Sequence, residues 1–130
     1  MNRRSTPEAD AQRAIVQALR FALPRDSIVH HCANEIAAND RRGKIRQSIL
    51  VGMGVHAGFA DLIVISGGRV LFLEVKSPTG RLRKSQEVFR DTVCAQGFGW
   101  AIVRSVDDAL AALADHGFTS RVRQARRAAP

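Results

Sequence analysis

The stretch from Asp61 to Lys76, DLIVISGGRVLFLEVK, decides the fold of this chain. Two runs rich in β-branched and other apolar residues, DLIVIS and RVLFLEVK, flank the pair Gly67-Gly68. Runs of this kind predict strands, and a Gly-Gly pair between them is typical of a two-residue hairpin turn. The stretch therefore predicts two antiparallel strands that carry charged residues at their outer ends.

These charged residues are expected to meet on one face of the sheet. If the loop contains only the two glycines, counting outward places Asp61 opposite Glu74, with Cβ atoms about 5 Å apart. Lys76 lies two residues beyond Glu74 and so projects from the same face. Like charges placed opposite each other destabilise a sheet unless something offsets them. A three-residue loop would shift the register and remove Asp61 from the pair.

Two carboxylates and an ammonium group on one sheet face suit a hard divalent cation. Mg²⁺ favours carboxylate oxygens and retains several waters, one of which can attack a phosphate. A lysine beside that water can orient it and stabilise developing negative charge. The alternative is a salt-bridged strand end, in which Glu74 pairs with Lys76 or an arginine and Asp61 caps a turn. Both interpretations remain open on these residues alone.

The rest of the chain shows further helix and strand patterns. Ser5 or Thr6, followed by Pro7, predicts the start of a first helix, which Pro24 ends. The other predicted elements are a strand at 27–34, a partly helical or irregular excursion at 35–58, a loop and helix within 77–97, a strand at 99–105 and a helix at 106–117. The order α-β-β-β-α-β-α predicts an α/β (α+β-like) fold with a mixed sheet flanked by helices. We expect one domain over residues 1–118 and a flexible basic tail over 119–130.

Two helices carry polar residues in line with apolar ones. Glu8 and Gln12 share a stripe of the first helix with core positions, so we expect them to face the sheet site. The alternative for Glu8 is a capping box closed with Ser5. Gln86 shares a face with apolar residues of its helix, and the alternative is a polar side chain in a solvated first turn.

The charge balance predicts a polyanionic partner. Twenty Lys and Arg against twelve Asp and Glu give a net charge of +8 and a pI of 11.2, which favours nucleic acid or an anionic membrane. Aromatic residues are few, which argues against a stacking platform for single strands. We expect clustered basic residues to contact the phosphates of nucleic acid, and the alternative is a solvated loop face. These residues are Arg41, Arg42, Lys44, Arg46, Arg81, Arg83 and Lys84.

No apolar run approaches the length of a membrane span, and no secretory signal is present, so we expect no membrane association. Cys32 and Cys94 form no CxxC pair and are far apart, which favours a reduced, intracellular chain.

Four ordered motifs resemble the VRR-NUC domain, a branch of the PD-(D/E)XK nuclease superfamily. They are HHCANE at 30–35, GFADL at 58–62, FLEVKSPTGRLRKSQ at 72–86 and GFGWAIVRSVDDAL at 97–110. The resemblance runs from about Ser5 to His116, and the ordered set is more specific than any single motif. One departure is Ala60, where the family usually has proline before the aspartate.

The resemblance implies a restriction-endonuclease-like fold and a role for each matching residue. It implies metal ligation by Asp61, Glu74 and the carbonyl of Val75, with Glu8 as an additional carboxylate. It implies that Lys76 is the catalytic lysine and that Gln86 orients Lys76 or a phosphate. The implied cofactor is Mg²⁺ or Mn²⁺, and the implied reaction is hydrolysis of phosphodiester bonds in DNA.

Short stand-alone members of the family resemble homodimeric, structure-selective enzymes that cut branched DNA such as Holliday junctions. They occur in bacteria and phages, so we expect a cytoplasmic, nucleoid-associated protein of DNA repair or recombination, bacterial or phage-encoded. A non-catalytic DNA-binding module with the same fold is the main alternative. A metal-dependent RNase or exonuclease is a third.

Overall fold

The computed structural model describes residues 6–33 and 41–122. The elements, in chain order, are α1 (Pro7–Ala22), β1 (Ile28–His31), α2 (Arg41–Gly52), β2 (Leu62–Ser66), β3 (Arg69–Val75), α3 (Lys84–Ala95), β4 (Gly99–Val103) and α4 (Val106–Asp115). The predicted order is confirmed, with α2 as an additional helix inside the excursion.

The sheet has the order β1-β2-β3-β4, with antiparallel pairs except for parallel β3 and β4. Leu62 pairs with Leu73 and Ser66 with Arg69, which confirms the predicted hairpin register. Gly67 and Gly68 both have positive φ, +57° and +75°, as a two-residue turn of type I′ requires. The sheet is therefore mixed, as predicted, and the central hairpin fixes its register.

Helices cover the two faces of the sheet unequally. On one face, apolar side chains of β2, β3 and β4 pack against buried residues of α1 and α4, including Ile15, Leu19 and Leu113. On the other face, Phe72 and Trp100 pack with Phe59 and the α3 residues Phe89 and Val93. Glu74 and Lys76 share the parity of Phe72 and therefore belong to the α3 face.

The start of the predicted tail contacts the domain. The N–H of Arg121 donates to the carbonyl oxygen of Ala22 at 2.8 Å, and Val122 packs against the larger core. Residues 123–130 lie outside the described part of the chain, so the prediction of a flexible tail is not tested there. Among the described residues, no helix is long and apolar enough to cross a membrane.

Candidate active site

Asp61 is held at the entrance of β2 by both neighbouring strands. Its side chain is only 5% exposed, and its Oδ2 atom accepts a hydrogen bond from the N–H of Val75 at 2.8 Å. Its carbonyl oxygen accepts from the N–H of Cys32 at 2.8 Å. The regular ladder ends at the pair of Leu62 and Leu73, so Asp61 lies just beyond it, next to Glu74. One carboxylate oxygen is thereby committed to the backbone and the other is left for the site.

Glu74 is the most deeply buried charged residue among those described, with 1% exposure. Its Oε1 atom accepts a hydrogen bond from Nε2 of Gln86 at 2.7 Å and lies 3.7 Å from Nζ of Lys76. Its Oε2 atom is buried and has no hydrogen-bond partner among the described residues. A buried ionised oxygen without a partner is costly, so Oε2 requires either a proton or a cation.

Burial and the Asp61 carboxylate, in that order, raise the pKa of Glu74 to about 9. A hydrogen bond between Glu74 and Asp61 also raises the pKa of Glu74. The positive charge of Lys76 lowers this pKa, and the carboxylate of Glu8 makes the smallest contribution, which raises it. The Lys76 ammonium therefore does not offset the two carboxylates by itself. In the absence of a cation, burial and the Asp61 carboxylate favour the protonated form of Glu74.

Lys76 continues β3 and is 7% exposed. Its N–H donates to the carbonyl oxygen of Val103 at 3.0 Å, which extends the parallel pairing of β3 and β4. Its Nζ atom approaches Glu74, so part of the alternative salt-bridge interpretation holds. The 3.7 Å separation is too long for a hydrogen bond, and this ion pair leaves Oε2 of Glu74 unsatisfied.

Gln86 contacts Glu74 rather than Lys76, the partner implied by the resemblance. Its Oε1 atom accepts from the N–H of Arg83 at 2.8 Å, which fixes the orientation of the amide and aims Nε2 at Glu74. Gln86 is therefore not simply a solvated polar residue of the first turn: its amide connects the start of α3 to the site. A sequence pattern placed Gln86 on the correct helix face, but its partner depends on how α3 docks on the sheet.

Glu8, in the first turn of α1, also lies at the site. Thr6 caps α1 by accepting from the N–H of Ala9, and Ser5, the partner of Glu8 in the predicted capping box, lies outside the described residues. Glu8 lines a cavity of about 410 Å³ together with Asp61, Lys76 and other residues. The expectation that the polar stripe of the first helix faces the site is met at this position.

Two further residues, Cys32 and His56, also line this cavity. Cys32 lies beside Asp61, and burial, with a smaller contribution from the Asp61 carboxylate, raises the pKa of its thiol. His56 packs edge-on against Phe89, with ring centroids 5.8 Å apart. Cys32 belongs to the HHCANE motif but was expected only as a reduced thiol, and His56 was not singled out; the fold brings both to the wall of the cavity.

Gly58 allows the loop before β2 to pass against the first turn of α3. It has φ of +76°, and a Cβ atom there would lie 2.2 Å from the carbonyl oxygen of Ser85. Only glycine fits this close approach.

The pair of Asp61 and Glu74 fits a divalent cation. Within residues 6–33 and 41–122, no group of three or more His, Cys, Asp or Glu side chains could hold a metal ion. Mg²⁺ needs no such cage, because it is commonly held by one or two carboxylates and several waters. The unsatisfied Oε2 of Glu74 beside Asp61 provides a position where a cation would replace a proton.

The predicted DNA-contacting residues are spread over two surfaces. The exposed basic residues of α2, of the segment before α3 and of the start of α3 are Arg42, Lys44, Arg46, Arg81, Arg83 and Lys84. Arg83 lines the cavity beside the carboxylates. The side chain of Arg41 lies outside what the structure describes.

Comparison with known proteins identifies the family. The family model of the VRR-NUC domain matches residues 7–107 of the chain. No curated protein sequence matches the chain significantly. A solved structure described as a VRR_NUC domain protein is similar, with a TM-score of 0.66 and 17% identity, over 88% of this chain and 90% of that one. At this identity the similarity shows the fold alone, and it confirms the predicted fold class.

Proposed function

Because the chain belongs to the VRR-NUC domain family, within the PD-(D/E)XK nuclease superfamily, we propose that it is a metal-dependent DNA endonuclease. The observation that carries this proposal is the buried Oε2 atom of Glu74, which has no hydrogen-bond partner among the described residues, in a side chain whose pKa burial and the Asp61 carboxylate raise. A catalytically inactive protein that only binds DNA does not require two neighbouring buried carboxyl groups, which destabilise the fold. The site therefore favours catalysis over a purely binding role.

Each residue of the site has a distinct part in the proposed hydrolysis. Asp61, Glu74 and the carbonyl oxygen of Val75 would hold Mg²⁺ or Mn²⁺, with Glu8 as an additional carboxylate. The bound cation supplies Lewis-acid activation of water and of the phosphate. Lys76 positions the attacking water and offsets the charge that develops on the phosphate. Gln86 donates to Oε1 of Glu74 and so fixes the orientation of its carboxyl group.

DNA is the proposed substrate, and branched DNA such as a Holliday junction is the proposed preferred form. The net charge of +8 and the exposed basic residues near the cavity support sequence-independent phosphate binding. The preference for branches rests on the resemblance to short family members.

The first prediction concerns metal and Lys76. We expect the purified protein to cut DNA in the presence of Mg²⁺ or Mn²⁺ and not in the presence of EDTA. We expect Lys76→Ala to lower the cleavage rate about 100-fold or more, because the variant lacks a group that stabilises charge on the phosphate. Four-way junction, linear duplex and single-stranded DNA and an RNA of matched sequence are compared by gel electrophoresis. Arg25→Ala, which removes an exposed positive charge outside the predicted DNA contacts, is the control.

The possible outcomes separate the alternatives. Cleavage that persists in EDTA contradicts the metal mechanism. Binding without cleavage in every metal supports the inert DNA-binding module, and equal cutting of duplex and junction removes only the preference for branches. Faster cutting of RNA, or release of single nucleotides from ends, supports the RNase or exonuclease alternative.

We also propose that the protein acts as a homodimer, so that two sites can address opposed strands of a junction. Exposed apolar residues on α2 and on the sheet, Ile45, Ile49, Ile28 and Ile65, support this assembly. We expect a dimer in sedimentation velocity, and we expect Ile49→Glu to weaken it about 10-fold or more. Phe21→Glu, which changes an exposed residue of α1, is the control, and a wild-type monomer at every concentration contradicts the proposal.

A further inference from the structure

Arg104 bridges the strand end of β4 to the turn that follows Lys76. Its Nη1 atom donates hydrogen bonds to two carbonyl oxygens, that of Ser77 at 2.6 Å and that of Gly80 at 2.7 Å. Its own N–H donates to Oδ2 of Asp108 at 3.0 Å, which ties the residue to the first turn of α4. Hydrogen bonds from a charged donor are roughly twice as strong as neutral ones. One guanidinium therefore clamps both ends of a four-residue segment.

The clamped segment, Ser77 to Gly80, is a tight turn that folds back on Lys76. The N–H of Gly80 donates to the carbonyl oxygen of Ser77 at 3.1 Å. A Cβ atom on Gly80 would lie 3.5 Å from Cδ of Lys76 and 3.0 Å from Oγ of Ser77. The turn therefore forms part of the wall around the aliphatic stem of Lys76.

This wall matters because little else fixes the ammonium group. Lys76 has a flexible four-carbon stem, and among the described residues its ammonium group approaches Oε1 of Glu74 at 3.7 Å. Its backbone is fixed to Val103, the residue directly before Arg104. The start of the stem and the turn beside it are thus both anchored to the end of β4.

We propose that Arg104 is a positioning residue for Lys76: it holds the turn Ser77–Gly80 against the stem of Lys76 and so keeps the ammonium at Glu74. The inference rests on the proposed function insofar as Lys76 takes part in hydrolysis. It assigns no contact between Arg104 and the reacting phosphate.

The first test measures the position of Lys76 without any cleavage. Wild type, Arg104→Met and Arg104→Lys are treated with a trace of an amine-reactive acetylating reagent, and acetylation at Lys76 is compared by mass spectrometry with the exposed Lys44 and Lys84. We expect Lys76 to react several-fold faster in Arg104→Met, with Arg104→Lys intermediate, because a lysine cannot present the planar fork. Arg90→Met, which removes a partly buried arginine that lies over Trp100, is the matched control.

The second test asks whether Arg104 acts through Lys76. Under single-turnover conditions with Mn²⁺, we expect Arg104→Met to lower the cleavage rate about 10–100-fold, with DNA affinity changed less than about threefold. In a Lys76→Met background, the same substitution should have little further effect, because the group that it positions is absent. Circular dichroism and thermal melting verify that each variant is folded, and Arg104→Lys serves if Arg104→Met does not fold.

The outcomes distinguish this inference from the proposed function. Unchanged acetylation of Lys76, or an equal loss of cleavage rate in both backgrounds, overturns the positioning role. Absence of cleavage by the wild type refutes the nuclease proposal, and the acetylation result still decides whether Arg104 positions Lys76.

Discussion

Glu74→Gln is expected to raise the stability of the metal-free protein and to abolish cleavage. The pKa of Glu74 is raised to about 9 in the folded state, well above the ordinary value of 4.5. A raised folded-state pKa contributes stability that is fully present below about pH 4.5 and is lost as the pH rises toward 9. At pH 8 the wild type has therefore lost most of this stability, whereas the Glu74→Gln variant, with its neutral amide, has not.

The geometry of the site suits the amide. In Glu74→Gln, the side-chain oxygen can still accept from Nε2 of Gln86, and the new NH₂ group can donate to Asp61. We expect a gain in the free energy of unfolding on the order of 2–5 kcal/mol at pH 8 that shrinks toward pH 5. Chemical denaturation in EDTA across this pH range measures it. Glu87→Gln, the same change at a glutamate in the first turn of α3, is the control.

Catalysis should respond in the opposite direction. The amide carries no charge for a cation, so we expect cleavage to fall about 1,000-fold or more. Mg²⁺ should raise the melting temperature of the wild type, because a ligand that binds only the folded state stabilises it, and should leave that of Glu74→Gln unchanged. A variant that is less stable than the wild type at pH 8, or that still cuts DNA, contradicts this account of Glu74.

The hairpin was predictable because its determinants are local. Gly67 and Gly68 adopt the positive φ angles that a two-residue turn needs, and the turn fixes the register of both strands. Once the register is fixed, strand parity places Glu74 and Lys76 on one face, and the sequence contains all of this information.

What the sequence did not reveal depends on how separate elements dock. Gln86 was assigned to Lys76 or a phosphate, but the docking of α3 brings its amide to Glu74. His56 and Arg104 were not singled out, since their partners lie far away in the chain and arrive through tertiary packing. Helix α2 was expected only as a partly helical or irregular segment, because its apolar residues are not confined to one stripe and many are exposed.

Asp61 is expected to show two separable roles when it is replaced in two ways. Oδ2 accepts the buried N–H of Val75, and the remaining oxygen faces Glu74. In Asp61→Asn, the amide oxygen retains the bond to Val75, and its NH₂ group can donate to Oε2 of Glu74, which otherwise has no partner among the described residues. In Asp61→Ala, both partners are left unsatisfied inside the protein.

The two variants should therefore share a catalytic defect and differ in stability. We expect both to lose cleavage about 1,000-fold or more, because the carboxylate pair no longer exists to hold a cation. Asp61→Ala should unfold with a free energy about 1–3 kcal/mol lower than that of Asp61→Asn, since it leaves the N–H of Val75 without an acceptor. Denaturation in EDTA measures this difference, and Asp10→Asn and Asp10→Ala, at an exposed position of α1, are the control pair. Equal stability of the two Asp61 variants would mean that the bond from Val75 contributes nothing to folding, whereas cleavage by Asp61→Asn would remove Asp61 from the proposed metal site.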